Sequence, residues 1–313
     1  LLNSCADYDV VIRNGMIYDG TGEKPYSGDV AINNDKIVKV SKSINVKGKK
    51  EINAAGLAVS PGFINMLSWA TTSLIKDGRS LSGIKQGVTL EVFGEGWSMG
   101  PLNEKMKEQQ QTEAEGFEID WNSLGQYLES LERRGVSTNV ASFLGATTLR
   151  IHEIGFADRK PTDQEMNNMR ELVRAAMEEG AMGIGSSLIY APAFYSSTEE
   201  LIEICKVASE YGGMYISHMR SESNQFLEAL DELIQISEEA NIPAEVYHLK
   251  AGGIPNHYKM DLAIEKINNA RDRGLNITTD MYNYVAGATG LDAHMPPWAV
   301  SYTHLTLPTK RIV

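Results

Sequence analysis

"GAMGIGSSLIYAPAFYSSTEELIEICKVASEYGGMYISHM", residues 180–219, holds the pattern that decides the fold. Two short apolar runs, "GAMGIGSSLI" and "GGMYISHM", enclose an amphipathic stretch. Ser197 with Glu200 three positions later marks a helix start, and Leu201, Ile204, Cys205 and Ala208 fall in phase on one face. Cys205 is therefore expected as a buried helical thiol. Strand, helix and strand in this order make a βα unit, whose crossover leaves the two strands parallel.

The same texture extends in both directions. "GLAVSPGFI" (56–64), "GVTLEVFG" (87–94), "STNVASFLG" (137–145), "IPAEVYHLK" (242–250) and "LNITTDMYNY" (275–284) are further short apolar runs, which brings the strand count to seven. The helices between them have readable ends. In "PTDQEMNNMRELVRAAMEEG", Thr162 is an N-cap with Glu165 as its capping-box partner, and Gly180 is the stop. Met166, Met169, Leu172, Val173 and Ala176 form the apolar face between them. "NQFLEALDELIQISEEANIP" ends before Pro243. The stretch "NEKMKEQQQTEAEGFEID" (103–120) is polar and aperiodic, and reads as a mouth insertion, a lid or a solvated loop.

Residues 8–58 differ and read as strands in a small β-sandwich portion. "YDVVIRNGMIYDG" suggests a hairpin across Asn14-Gly15, and "GDVAINNDKIVKV" a second across Asn33-Asn34-Asp35. The expected organisation is thus a β-portion over 8–58 and, over 59–299, a (β/α)8 TIM-like barrel that lacks its eighth strand. A doubly wound sheet is the competitor. No G-x-G-x-x-G turn follows the first strand, which disfavours its dinucleotide-binding form.

Composition narrows the function classes. The chain has 313 residues, 42% hydrophobic and 22% charged, with net charge −12. That is an ordinary globular balance, and the acidity argues against nucleic acid as the main partner. No apolar run approaches the roughly 20 residues that span a bilayer. The two cysteines make neither a disulfide framework nor a cysteine-based zinc site. Leu2-Asn3-Ser4-Cys5 resembles the end of a bacterial lipoprotein signal, so residues 1–7 are expected to be its remnant and Cys5 a lipid anchor. That implies a periplasmic or cell-envelope location, with the cytoplasm as the alternative. "VSYTHLTLPTKRIV" (300–313) has no link to the preceding pattern and resembles translated adaptor sequence, so it is set aside as non-native, His304 included.

In a barrel of this kind, chemistry belongs at the C-terminal ends of the strands. That rule selects Glu95, His218, His248, Lys250, Asp280, Tyr282 and Tyr284. Two histidines at matched positions of consecutive strands should face one cavity and can form a divalent-metal site, although a lone strand-end His is more often structural. Lys250 and Arg220 each lie two residues beyond a His and share its strand face. Either could hold a substrate carboxylate or an ion pair with one of the many acids. His152, His257 and His294 have no companion and receive no metal role.

"INAAGLAVSPGFIN", "QGVTLEVFGEG", "VYHLKAGG" and "TTDMYNYVAGATGL", together with the opening stretch, resemble the amidohydrolase superfamily, and within it the N-acyl-D-amino-acid deacylase (D-aminoacylase) family. The resemblance runs from about Tyr8 to Trp298 and implies a barrel with a β-sandwich assembled from both termini. Its Asp-x-His-x-His after Pro-Gly-Phe-Ile falls here on Asn65, Leu67 and Trp69, so that histidine pair is absent. Its metal-bridging Cys falls in Gly94-Glu95-Gly96-Trp97, with Glu95 the nearest substitute, while its strand-five and strand-six ligands match His218 and His248. Its catalytic general-base Asp follows an eighth strand, beyond the end of this chain.

The resemblance implies hydrolysis of the amide bond of an N-acyl, D-configured amino acid by a zinc-activated water. Glu95, His218 and His248 would hold one zinc ion, with Leu67 and Trp69 as an apolar wall where relatives keep a second. Lys250, Arg220, Tyr190, Ser187 and Tyr282 are the candidate substrate contacts. The alternatives are a cyclic amide or imide hydrolase of the same superfamily and a metal-free ligand-binding barrel. Without strand eight, the 313-residue chain alone is expected to be inactive.

Overall fold

The first strand in the computed structural model, β1 (Tyr8–Ile17), runs straight through the Asn14-Gly15 pair that the sequence marks as a turn. Its pairing with β2 (Tyr26–Asn33) shifts register between Ile12 and Gly15, and Asn14 has a φ of 59°. The left-handed residue is thus a β-bulge, and the hairpin expectation at this site is corrected. Asp29 explains the preference, because its carboxylate accepts the Asn14 amide and lies beside Arg13. The second expected hairpin is present: β2 pairs antiparallel with β3 (Lys36–Ser41), and Asn34 turns the chain at a φ of 53°. β4 (Gly48–Asn53) and β5 (Ala58–Val59) run parallel to β1. Val11, Ala31 and Ile44 form the core of this five-stranded sheet.

The structure describes residues 7–290 except 115, together with 293, 295–297 and 299. Cys5, His294, His304 and the 300–313 tail lie outside the described residues. Two units divide at Phe63/Ile64.

The remaining strands, within the second unit except for Phe63, are β6 (Phe63–Asn65), β7 (Val88–Phe93), β8 (Asn139–Ser142), β9 (Leu144–Gly145), β10 (Gly183–Ser187), β11 (Met214–His218), β12 (Ala244–Val246) and β13 (Ile277–Thr279). β8 and β9 are one run interrupted at Phe143, so each of the seven apolar runs yields a strand. The sheet orders are β6-β7-β8 and β9-β10-β11-β12-β13, every neighbour being next in sequence. A doubly wound sheet would reverse its order at a switch point. This chain-order succession is that of a (β/α) barrel.

The helices are α1 (Ser73–Lys76), α2 (Leu81–Ile84), α3 (Glu104–Glu113), α4 (Leu124–Arg134), α5 (Ala146–Glu153), α6 (Asp163–Glu178), α7 (Thr198–Glu210), α8 (Phe226–Ala240) and α9 (Lys259–Asp272). α6 carries the expected capping box of Thr162 and Glu165. Ser197 caps α7, but Glu200 does not reciprocate: its carboxylate receives Arg150 Nη1 of α5 at 2.7 Å, with both side chains buried. Cys205 is buried on the inner face of α7. The aperiodic stretch is helical in its first part, because the Asn103 side chain caps α3 at the Met106 amide, and only Met106 of that helix is buried. A polar helix with one anchor leaves no apolar period to read.

Between the strands, Val92, Phe143, Ile216 and Tyr247 pack into one interior cluster, with Leu67 against it. They come from several strands and the residues next to them, the kind of layer that packs the interior of a (β/α) barrel. The larger cluster lies between strands and helices and includes Ile184, Leu201, Tyr215, Leu230 and Ile267. Packing on both sides keeps the strand backbones fixed and aims their C-terminal ends at one region.

Candidate metal centre

Glu95 stands two residues beyond β7, His218 is the last residue of β11, and His248 stands two beyond β12. Register brings the two histidines nearly level, since β10 and β11 pair Ser187 with His218, and β11 and β12 pair Ser217 with Val246. All three side chains are buried.

Glycine sets the position of Glu95. Gly94 has a φ of 103°, and a Cβ there would lie 2.3 Å from the Phe143 carbonyl; Gly96 has a φ of 74°, and a Cβ would lie 2.2 Å from Ser187 Oγ. Only residues without a side chain allow the turn to press so closely on the next strands. His248 is left-handed as well, with a φ of 39°, and its amide donates to Asp280 Oδ1 at 2.6 Å. A non-glycine residue in that region is strained and persists only where its surroundings enforce it.

The three donor atoms converge. Glu95 Oε1 lies 2.9 Å from His218 Nδ1, His218 Nδ1 lies 3.0 Å from His248 Nε2, and His248 Nε2 lies 3.6 Å from Glu95 Oε1. A tetrahedral zinc with ligands at about 2.0–2.2 Å separates neighbouring donors by roughly 3.3–3.6 Å. The triangle therefore has the size of one face of a zinc site. His218 Nε2, on the far side of its ring, is buried without a hydrogen-bond partner. Two imidazole nitrogens and a carboxylate oxygen aimed at one point fit a divalent cation.

A carboxylate not singled out from the sequence holds the outer edge of the His248 ring and lies near that of His218. Glu222 Oε1 lies 2.8 Å from His248 Nδ1 and 2.5 Å from Lys250 Nζ, while Glu222 Oε2 lies 3.8 Å from His218 Nε2. Metal-bound histidines characteristically give their second ring N–H to such a carboxylate, which fixes the tautomer.

Charge compensation is strong throughout. Burial would raise the Glu95 carboxyl, yet hydrogen bonds from His218 and His248 hold it below the usual carboxylate range. Burial likewise opposes ionisation of Glu222, but His248, His218 and Lys250 bring it down to about 2. His248, disfavoured as a cation by burial, is raised to about 9 by its bonds to Glu222 and Glu95. Behind it, burial raises both Asp280 and Glu245; the Asp280 charge adds to the rise at Glu245, whereas at Asp280 the His248 amide and Glu245 oppose it.

The remaining candidates separate by position. The Tyr190 ring meets His218 edge-on at 5.5 Å, and its hydroxyl pairs with Thr289 Oγ1. The Tyr282 ring lies 6.5 Å from His248 and beneath Lys250 Nζ at 5.8 Å. Ser187 is buried behind the site, with Oγ 3.4 Å from the Glu95 carbonyl. Arg220 turns away: it holds Glu232 of α8 and the carbonyls of Phe194 and Ser196. Leu67 joins the interior cluster, whereas Trp69 is 60% exposed and its indole N–H donates to Glu95 Oε2 at 3.1 Å. Of the unassigned histidines, His152 pairs with its neighbour Glu153. Among the described residues, Glu95, His218 and His248 form the one cluster of three or more potential metal ligands.

No protein-family model matches the chain. Curated proteins do: the chain is similar to the D-aminoacylase of Alcaligenes xylosoxydans xylosoxydans, 31% identical over 91% of this chain and 59% of the relative. The chain thus spans about three fifths of that relative's length. A crystal structure of D-aminoacylase, described as defining a novel subset of amidohydrolases, matches with TM-score 0.79 and 32% identity over 90% of this chain and 59% of that one. Another D-aminoacylase structure has TM-score 0.78 and 30% identity over the same shares, and concerns a binuclear centre with one-metal activation and second-metal attenuation.

Proposed function

Because this chain belongs to the amidohydrolase superfamily, with D-aminoacylase among its relatives, we propose that the complete protein hydrolyses the amide bond of N-acyl-D-amino acids using one zinc ion. The observation that carries this reading is the convergence of Glu95 Oε1, His218 Nδ1 and His248 Nε2 within 4.8 Å of one another. A zinc ion there supplies a water acidified toward about pKa 7 and a Lewis acid for the scissile carbonyl.

The chain's own residues prepare that chemistry. Glu222 accepts from His248 Nδ1 and so leaves Nε2 bare for a metal. Lys250 neutralises Glu222 and presents a cation beside Tyr282, where the substrate carboxylate can bind. Tyr190 closes the His218 side. The proton acceptor is assigned, on the family resemblance, to an Asp following an eighth strand.

Trp69 supports one ion rather than two. The family resemblance implies a histidine at this position, whereas here an indole N–H occupies the second oxygen of Glu95. A hydrogen bond thereby takes the place that a bridging carboxylate would give a second cation. Elemental analysis of the complete protein, followed by assay on N-acyl-D-amino acids with acyl groups from acetyl to octanoyl, tests the reading. One zinc per chain with turnover supports it, and zinc-loaded protein without turnover contradicts it. The same Trp69 bond favours a second reading, a metal-free binding barrel, for which only trace zinc would be found.

A further inference from the structure

Beside the metal triangle lies a cavity of about 350 Å³ whose wall includes Glu95 and Trp69. Its apolar lining comes from Trp69, Trp97, Met99, Ala114, Phe117 and Ile119, so much of it belongs to the segment after β7 and to α3 and its continuation. Gln110, also in the wall, has a buried Oε1 with no hydrogen-bond partner. We infer that this cavity is a subsite for an extended, medium-chain acyl group, so that the substrates are N-hexanoyl- or N-octanoyl-like rather than N-acetyl amino acids. The inference rests on the deacylase reading above.

Geometry and charge assign the two halves of the substrate. Glu95 Oε1 faces the histidines while Oε2 bonds Trp69, so the cavity adjoins the carboxylate on its Trp69 side. The Lys250 and Tyr282 group adjoins His248 and is absent from the cavity wall. The cavity does contain Lys76, but Glu95 and Glu113 line it too. Two carboxylates against one ammonium make it a poor place for an α-carboxylate, so the amino-acid half goes to Lys250 and the acyl half to the cavity. At about 30 Å³ per water-sized unit, the space admits on the order of ten heavy atoms, far more than an acetyl group fills. Unsatisfied Gln110 Oε1 offers an acceptor to a hydroxyl on the acyl chain.

The test measures kcat/KM of the zinc-loaded complete protein on N-acetyl, N-hexanoyl and N-octanoyl derivatives of one D-amino acid, with Ala114→Trp to fill the cavity. Each buried methylene is worth about fourfold, so the hexanoyl-to-acetyl ratio should reach at least about tenfold. Ala114→Trp should lower that ratio by a similar factor. A ratio of one or less, a ratio unmoved by Ala114→Trp, or a change in amino-acid preference instead would overturn the subsite while leaving the deacylase reading standing. If no derivative is hydrolysed, the deacylase reading fails and the cavity is judged by binding. Titration with acetate, hexanoate and octanoate, followed by the fluorescence of Trp69 and Trp97, should then show progressive tightening, and a flat response would overturn the inference.

Discussion

Removing the Glu222 charge with Glu222→Gln should change the pH dependence of zinc binding more than its strength at any one pH. In the metal-free protein His248 titrates near 9, because burial is outweighed by its bonds to Glu222 and Glu95. Zinc must displace that proton, so at pH 7.5 proton competition costs wild type about 30-fold in affinity, and above pH 9 it costs almost nothing. Without Glu222, the His248 value falls, because the larger of the two bonds that raise it is lost while Lys250, whose Nζ is 3.0 Å from Nδ1, still lowers it. The variant therefore gains back much of the competition at pH 7.5. It also loses the carboxylate that orients the ring, a change typically worth 10- to 100-fold in metal affinity. The two effects nearly cancel at pH 7.5, and the second stands alone at pH 9.5. Zinc affinity measured against a competing chelator should rise about tenfold per pH unit in wild type up to pH 9 and stay nearly flat in the variant. The variant should be weaker by 10- to 100-fold at pH 9.5, with circular dichroism unchanged. An equal loss at every pH would refute the assignment of Glu222 as the group that sets the His248 proton.

Leu67→His with Trp69→His restores the family's histidine pair, so zinc content should rise above one per chain by elemental analysis; an unchanged count would mean these positions do not set it. The metal-free protein should lose stability as the medium becomes basic. The His248 value is raised from 6.5 to about 9 on folding, so its contribution is present in full below pH 6.5 and lost as pH rises through about 9. The loss is up to about 3 kcal/mol and should vanish in His248→Gln when both are followed by urea unfolding at pH 7 and pH 10. Glu200→Gln strips the charge from the buried partner of Arg150. It should cost about 3–5 kcal/mol in thermal unfolding and leave zinc affinity at pH 9.5 unchanged.

Much of the fold is legible in the sequence because each βα unit advertises itself locally: a short apolar run, a capped amphipathic helix, a glycine stop. Thr162 with Glu165 and the phase of Leu201, Ile204 and Cys205 are examples. Legibility fails where long-range partners decide. Asn14-Gly15 has the local chemistry of a turn, and only the carboxylate of Asp29, on the neighbouring strand, makes it a bulge. α3 hides because a surface helix anchored by Met106 has almost no apolar stripe.

The convergence of Glu95, His218 and His248 is readable for a structural reason: strand ends in a barrel converge, and Gly94 and Gly96 frame Glu95. Glu222 is not, since its position in the loop after β11 has no periodicity that points it back at His248. Trp69 reads as an apolar wall, yet its contact with Glu95 is made by the one polar atom of its ring. Arg220 shares the strand parity of His218, but Glu232 and two carbonyls capture it.

The central claim, a single zinc held by Glu95, His218 and His248, is tested most directly by elemental analysis of the complete protein after metal removal and reloading. One zinc per chain in wild type, lost in Glu95→Ala, His218→Ala and His248→Ala that remain folded by circular dichroism, is the predicted result. Only trace zinc in wild type, or variants that load as wild type does, would contradict it.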